Sequence, residues 1–313
     1  MAKKKWGDRP DAVWLKDLPA MNQIMTTLMP NRADNEAYVS VDIDLAPLEA
    51  YLEKKNEGLD KTHRYTFFHL ISAAVGKAFI LRPKMNRFIQ GGRIYQRHRI
   101  EYSFGVKKRL DDASVLTVVK QAFEPDDTLE RVAARVQEAI ERGRAKRATQ
   151  SEREMGLLAK FPAPFIRLAI AALRLLDRLN LMPRAMIDAD ELYCSMFIAN
   201  LGSVGLEAPF HHLYDWGTAP IFCAIGKLAD EPTLGNGGEL TLRPTLTLRW
   251  TFDERVADGF YCARSLDLVR ELIAHPERLD FAPDSETSPR PLMTPPSDRP
   301  MFPADGDAHP PPH

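Results

Sequence analysis

Residues 67–81, Phe-Phe-His-Leu-Ile-Ser-Ala-Ala-Val-Gly-Lys-Ala-Phe-Ile-Leu, are apolar on most faces of a helix and rich in alanine. A helix apolar nearly all round has to be buried, and Pro83 sets its end. Whatever this chain folds into must wrap that helix.

The flanking pattern supplies strands and further helices. Residues 36–44 alternate apolar and polar, as a half-buried strand does. Leu45, Leu48 and Leu52 then give a helix over 45–56. Residues 93–97 and 100–106 read as a strand pair, and Val115–Phe123 as another strand. Asp126-Asp127-Thr128 can cap a helix reaching about Arg147, with Leu129, Val132, Val136 and Ile140 on one face. Strands follow at Leu192–Ile198, Pro220–Ile225, Leu240–Arg243 and Thr245–Phe252, then a helix at Gly259–Ile273 with Pro276 behind it. The order predicts an α/β fold, a two-layer sandwich of a mixed sheet against helices.

Residues 157–182 are an inserted apolar helical segment, containing Phe161-Pro-Ala-Pro-Phe165 and the run from Ile166. Arg167, Arg174, Asp177 and Arg178 interrupt it, which rules out a spanning helix. A helix packed on the domain is the favoured reading, and contact with a membrane or lipid the lesser one.

Phe281 to His313 holds 10 of the 24 prolines and little apolar periodicity, so residues 281–313 read as a disordered tail and 1–280 as one domain. Lys+Arg of 42 against Asp+Glu of 43 leaves no basic field for nucleic acid. The basic start, Met1 to Trp6, is followed by no apolar stretch of a secretory signal. Three cysteines without metal-type spacing suit reduced thiols and a cytoplasmic setting. Gly235-Asn-Gly-Gly238 is a hairpin turn, Gly202–Gly205 is too short for a dinucleotide fingerprint, and no Gly-x-Ser-x-Gly elbow occurs. Lys107-Lys108-Arg109 reads as a solvated turn, and His69 as a satisfied core histidine.

Four stretches in order resemble the catalytic domain of dihydrolipoyl acyltransferases, of the chloramphenicol acetyltransferase-like superfamily. They are Phe67–Asn86 ending in Pro83-Lys-Met-Asn86, Ser195–Gly202 ending in Asn-Leu-Gly, Pro220–Lys227, and Thr251-Phe-Asp-Glu-Arg-Val-Ala-Asp-Gly-Phe260. The resemblance covers about residues 12–280 and implies a trimer with sites shared between subunits. It implies a histidine base acting on a CoA or dihydrolipoamide thiol, and a Ser or Thr donating to the oxyanion. Here Glu254 stands at the histidine position and Ala199 at the hydroxyl position, with Ser195 or Ser203 as alternatives by a small register shift. Asp258 and Gly259 match the signature, and by analogy Arg32 would pair with Asp258.

The expected catalytic set is therefore Glu254, Asp258, His211 and His212, since the loop Glu207–Gly217 brings an added His-His pair. Asn200, Gly202, Ser203, Arg255 and Gly259 are the expected substrate-binding residues. No metal and no covalently bound cofactor are expected, with acyl-CoA or another acyl thioester as substrate. The chain carries no lipoyl or peripheral-subunit-binding domain pattern, so a stand-alone acyltransferase with a rebuilt site is expected. The alternative is a catalytically inactive homologue serving as a ligand-binding or scaffold subunit.

Overall fold

The buried helix begins where Thr66 caps it. Its hydroxyl accepts the His69 backbone N–H at 3.5 Å, and His69 Nδ1 accepts the Thr66 N–H at 3.2 Å. The pair closes a reciprocal cap on two otherwise unpaired donors. Every residue from His69 to Phe79 is buried.

The computed structural model describes residues 7–107, 116–145, 156–157, 159–234 and 238–282. In chain order its elements begin with β1 (Ala12–Trp14), α1 (Ala20–Leu28), β2 (Glu36–Asp44), α2 (Ala46–Lys55) and α3 (Phe67–Leu81). Then come β3 (Arg87–Gln90), β4 (Arg93–Arg97), β5 (Ile100–Lys107), β6 (Leu116–Phe123) and α4 (Leu129–Arg144). The rest are α5 (Ala163–Arg178), α6 (Arg184–Ala189), β7 (Met196–Asn200), β8 (Ile221–Leu234), β9 (Leu240–Asp253) and α7 (Gly259–Ala274).

The main sheet has six strands in the order β2-β9-β8-β7-β5-β6, with β5–β7 and β7–β8 parallel and the other pairs antiparallel. One face carries Val41, Phe104, Cys223 and Trp250 into a core shared with α2, α3, α4 and α7. Gly76 lets α3 approach the sheet, because a Cβ there would lie 1.9 Å from the Phe123 ring. The opposite face carries Phe197, Phe222 and Ala224, and the loop bearing Ala208 and Leu213 covers them. The two-layer α/β expectation holds.

Three expectations are corrected. Strands 93–97 and 100–106 form but do not pair with each other. β4 instead pairs with β3 and β1 in a separate three-stranded sheet, while β5 joins the main sheet. The cause is the Gly91-Gly92 turn, with φ of 56° and 74°, which closes a tight β3–β4 hairpin before β5 begins. Second, 240–243 and 245–252 are a single strand, β9, running through Pro244. Pro244 is tolerated because β2 ends at the Asp44–Thr245 pair, so its missing N–H breaks no ladder bond there. Third, the expected strand 192–198 starts only at Met196. Leu192 and Tyr193 are instead held in turns, with the Leu192 carbonyl accepting the Thr218 N–H at 3.0 Å.

The inserted segment folds as α5, tied down near its C-terminal end. Asp177 is buried, forms an ion pair with Arg9 at 2.8 Å and accepts Gln90 Nε2 at 2.6 Å. Arg9 also pairs with Asp11 at 2.9 Å and lies over the Phe88 and Tyr95 rings. The Arg178 carbonyl would lie 2.5 Å from a Cβ at Gly91, so the Gly-Gly turn also seats the helix end. Packing is one-sided, however, and Phe165, Leu168, Leu175 and Leu179 remain exposed. The expected tail lies outside the described residues from 283 on, as do Met1–Trp6, Lys108-Arg109 and Gly235–Gly237.

His69 makes a measurable consequence. Burial pushes its imidazole from 6.5 down to about 4. As pH falls below about 6.5 the unfolded chain binds the proton first, so stability is full above that pH and declines toward pH 4. The total loss should be roughly 3 kcal/mol. Chemical denaturation at neutral and acidic pH should show this loss, and His69→Gln, which keeps an acceptor for the cap, should reduce it. Equal acid sensitivity in the variant would sink the assignment.

Candidate active site

The motif at the end of β9 is built around a buried ion pair. Asp253 is 1% and Arg255 7% exposed, and they join through two contacts, Nε to Oδ1 at 2.8 Å and a terminal guanidinium nitrogen to Oδ2 at 2.7 Å. The remaining guanidinium nitrogen donates to the Met29 carbonyl at 2.7 Å. With its two neighbours held inward, residue 254 points outward. The Glu254 backbone donates to the Asn35 carbonyl at 3.0 Å, and its side chain is exposed.

Asp258 caps α7, accepting the Tyr261 N–H at 2.8 Å. Gly259 is the first helical residue and is exposed. Arg32 is not the partner of Asp258. Its guanidinium donates to the Tyr214 carbonyl and, at 3.2 Å, to the Gly217 carbonyl. Burial lowers its pKa and the charge of nearby Asp253 opposes that shift. Arg32 therefore holds the loop after Tyr214 against the Asp253–Arg255 pair.

The His-His loop lies on the same strand end. The Thr251 hydroxyl donates to the His211 carbonyl at 2.5 Å, and the Leu213 N–H donates to Glu36 Oε1 at 2.8 Å. Glu36 is the register partner of Asp253, so the loop runs alongside the last residues of β9 toward Glu254. The His211 ring stacks on Phe222, with centroids 4.0 Å apart and planes 7° apart, and on His212 at 4.7 Å. His211 Nδ1 donates to the His212 carbonyl at 2.6 Å, and His212 Nδ1 donates to the Leu213 carbonyl at 2.9 Å. A carbonyl only accepts, so the proton of each neutral ring sits on Nδ1. Each Nε2 is left as the basic nitrogen.

The Asn-Leu-Gly end of β7 is elsewhere. Asn200 accepts the Ser203 N–H at 3.2 Å through Oδ1 and the Ser203 hydroxyl at 2.7 Å through its carbonyl, closing a turn. Gly202 presses on β8, where a Cβ would lie 2.1 Å from the Gly226 carbonyl oxygen. Asn200 is level with Ile225, and Ile225 with Leu248. From Leu248 the strand direction leads to Glu254, a separation of about 20 Å at about 3.3 Å per residue. Within one chain, then, Asn200, Gly202 and Ser203 do not meet Glu254, whereas Arg255, Asp258 and the histidine loop share its end of the sheet. Ala199 is level with Ala224 and Arg249 and offers no hydroxyl.

Ser195 is taken up by architecture. It is buried, donates to Asn86 Oδ1 at 2.6 Å and accepts the Glu101 N–H at 3.0 Å. Asn86 in turn donates to the Arg99 carbonyl at 3.0 Å. The Pro83–Asn86 stretch is thus a joint between the two sheets. Thr251 and Glu36, which dock the histidine loop, gave no local signal in sequence, because their role follows from the strand register. Among the described residues no group of three or more His, Cys, Asp or Glu could hold a metal ion.

A mixed six-stranded sheet backed by helices, with a signature turn between the end of its last strand and the last helix, defines an acyltransferase-core fold. The chain belongs to the 2-oxoacid dehydrogenases acyltransferase (catalytic domain) family, whose pattern matches residues 18–158 and 187–280. The unmatched stretch between them contains α5. The chain is 22% identical over 240 residues to the lipoamide acyltransferase component of the branched-chain alpha-keto acid dehydrogenase complex of Bacillus subtilis. That match covers 76% of this chain and 46% of the relative, so the chain spans less than half the relative's length. Among solved structures it is similar to the dihydrolipoamide acetyltransferase of Azotobacter vinelandii, with a TM-score of 0.54 and 18% identity over 85% of this chain and 93% of that one. It is also similar to the cubic core of a pyruvate dehydrogenase multienzyme complex, with a TM-score of 0.53, 18% identity and the same coverages.

Proposed function

We propose that this protein transfers acyl groups between CoA, or another acyl thioester, and a thiol acceptor, with His211 as the base. The docking of the histidine loop onto the strand end that presents Glu254 carries this reading. His211 Nε2 would take the thiol proton. The thiolate sulfur would then bond to the thioester carbonyl carbon, and collapse of the tetrahedral intermediate would break the original C–S bond. The imidazolium returns its proton to the departing thiolate. Glu254 orients the acceptor or the imidazole, while Asp258 and the Asp253–Arg255 pair hold the turn.

The site would be completed in a homotrimer. The distance between the Asn200–Ser203 turn and Glu254 within one chain supports this, because a neighbouring copy can bring the two ends together. Light scattering should give about three times the 35.4 kDa chain mass. A monomer at micromolar concentration would contradict the shared site.

A second reading, a ligand-binding relative without turnover, draws support from Ala199 and from the engaged hydroxyl of Ser195. One missing oxyanion donor costs roughly 10²–10³ in rate. An acyl-CoA to free-thiol assay run beside a CoA-binding titration separates the two. Binding without turnover would favour the second.

A further inference from the structure

Helix α5 meets the domain along one narrow edge. Ile166, Ala169, Ile170, Leu173 and Asp177 recur at helical spacing and are its half-buried or buried residues. A second apolar row, Phe165, Leu168, Leu175 and Leu179, is 63, 68, 57 and 54% exposed. Beside it runs a third row, Arg167, Arg174 and Arg178, all exposed. Among the described residues these arginines have no ion-pair partner. The one acid of the helix, Asp177, is turned inward to Arg9. The outward side therefore presents an apolar row edged with positive charge and no negative charge.

That combination selects its occupant. A protein interface sets a charge-depleted core inside a polar rim, whereas here the charge is all of one sign and runs along the apolar row. An apolar row flanked by unpaired arginines matches a helix lying in the headgroup zone of an anionic bilayer. There leucine and phenylalanine enter the acyl boundary, and guanidinium groups bind phosphate oxygens bidentately. Chain continuity adds to it. The Gly7 carbonyl accepts Asn180 Nδ2 at 3.2 Å just beyond the helix, and the sequence leading into Gly7 is Lys3-Lys4-Lys5-Trp6. Among the described residues no helix is long and apolar enough to cross a membrane, so the contact is with the surface.

We propose that α5 docks this protein reversibly on an anionic lipid bilayer, with its leucine row inserted and its arginine row on the headgroups. The reading is independent of acyl transfer. The test is cosedimentation of the full chain with phosphatidylcholine vesicles made with and without phosphatidylserine. Binding should require phosphatidylserine and weaken as salt rises. Combined Arg167→Glu, Arg174→Glu and Arg178→Glu should lower partitioning on the order of 100-fold. Leu168→Ser with Leu175→Ser should abolish it while circular dichroism and oligomeric mass stay unchanged. The proposal is overturned if the unaltered chain pellets no more with anionic than with neutral vesicles, or if the leucine variant binds as the parent does. It is equally overturned if the leucine variant instead splits a larger assembly, which would assign the row to a second copy of the chain.

Discussion

Replacing His211 with alanine should lower kcat/KM for acyl transfer from acyl-CoA to a free thiol by about 10²–10⁴-fold, the usual worth of a positioned base. The protein should keep its melting temperature and oligomeric mass, because the ring stacks on the sheet surface and the loop is held by backbone bonds to Thr251 and Glu36. His212→Ala should cost much less, since its ring is exposed and reaches Phe222 only by way of His211. Glu254→Gln should fall between them if the carboxylate orients the acceptor. Three variants as active as the parent would remove the site from this end of the sheet. A parent without turnover but with CoA affinity would make the protein a binding subunit.

Asp253→Ala should be the most damaging single change to stability. It strips the buried Arg255 guanidinium of its bidentate partner and leaves the neighbouring Arg32 cation less compensated. Breaking a buried pair from one side costs about 3–5 kcal/mol. At about 2–4 °C per kcal/mol for a chain of this size, the melting temperature should drop by roughly 10 °C. Asp253→Ala combined with Arg255→Met should recover part of the loss, because no uncompensated charge then remains at position 255. If the double variant melts below the single one, the ion pair is not the source of the effect.

How far the sequence foretold this arrangement follows from the range of the forces involved. Local signals were legible. The period of residues 67–81 placed α3 residue for residue, and Thr128 capped α4 as its position implied. Partnership between strands was not legible, because β4 and β5 are both good strands and only the Gly91-Gly92 turn decides that β4 folds back onto β3. At the site, the signature residues were found by resemblance, yet their roles depended on register. Arg255, expected to bind substrate, is taken up by the buried Asp253, and Arg32 holds carbonyls rather than Asp258. Ser195 read as a candidate hydroxyl because sequence shows residue type and not occupancy, and its oxygen is already spoken for by Asn86 and Glu101.

The anchoring of α5 bears on how such an addition persists. Arg9 belongs to the chain before β1, and its second carboxylate partner, Asp177, comes from a stretch the family pattern does not contain. Excising residues 159–186 would not simply return the shorter outline that the family pattern matches. It would remove one of the two carboxylates that face the Arg9 guanidinium, which lies over the Phe88 and Tyr95 rings, and leave Asp11. Loss of the insert therefore costs the domain the Arg9–Asp177 ion pair and the Gln90–Asp177 hydrogen bond as well as the helix itself. Insert and domain are thus coupled in stability through one buried contact, whatever use is made of the helix's outer face.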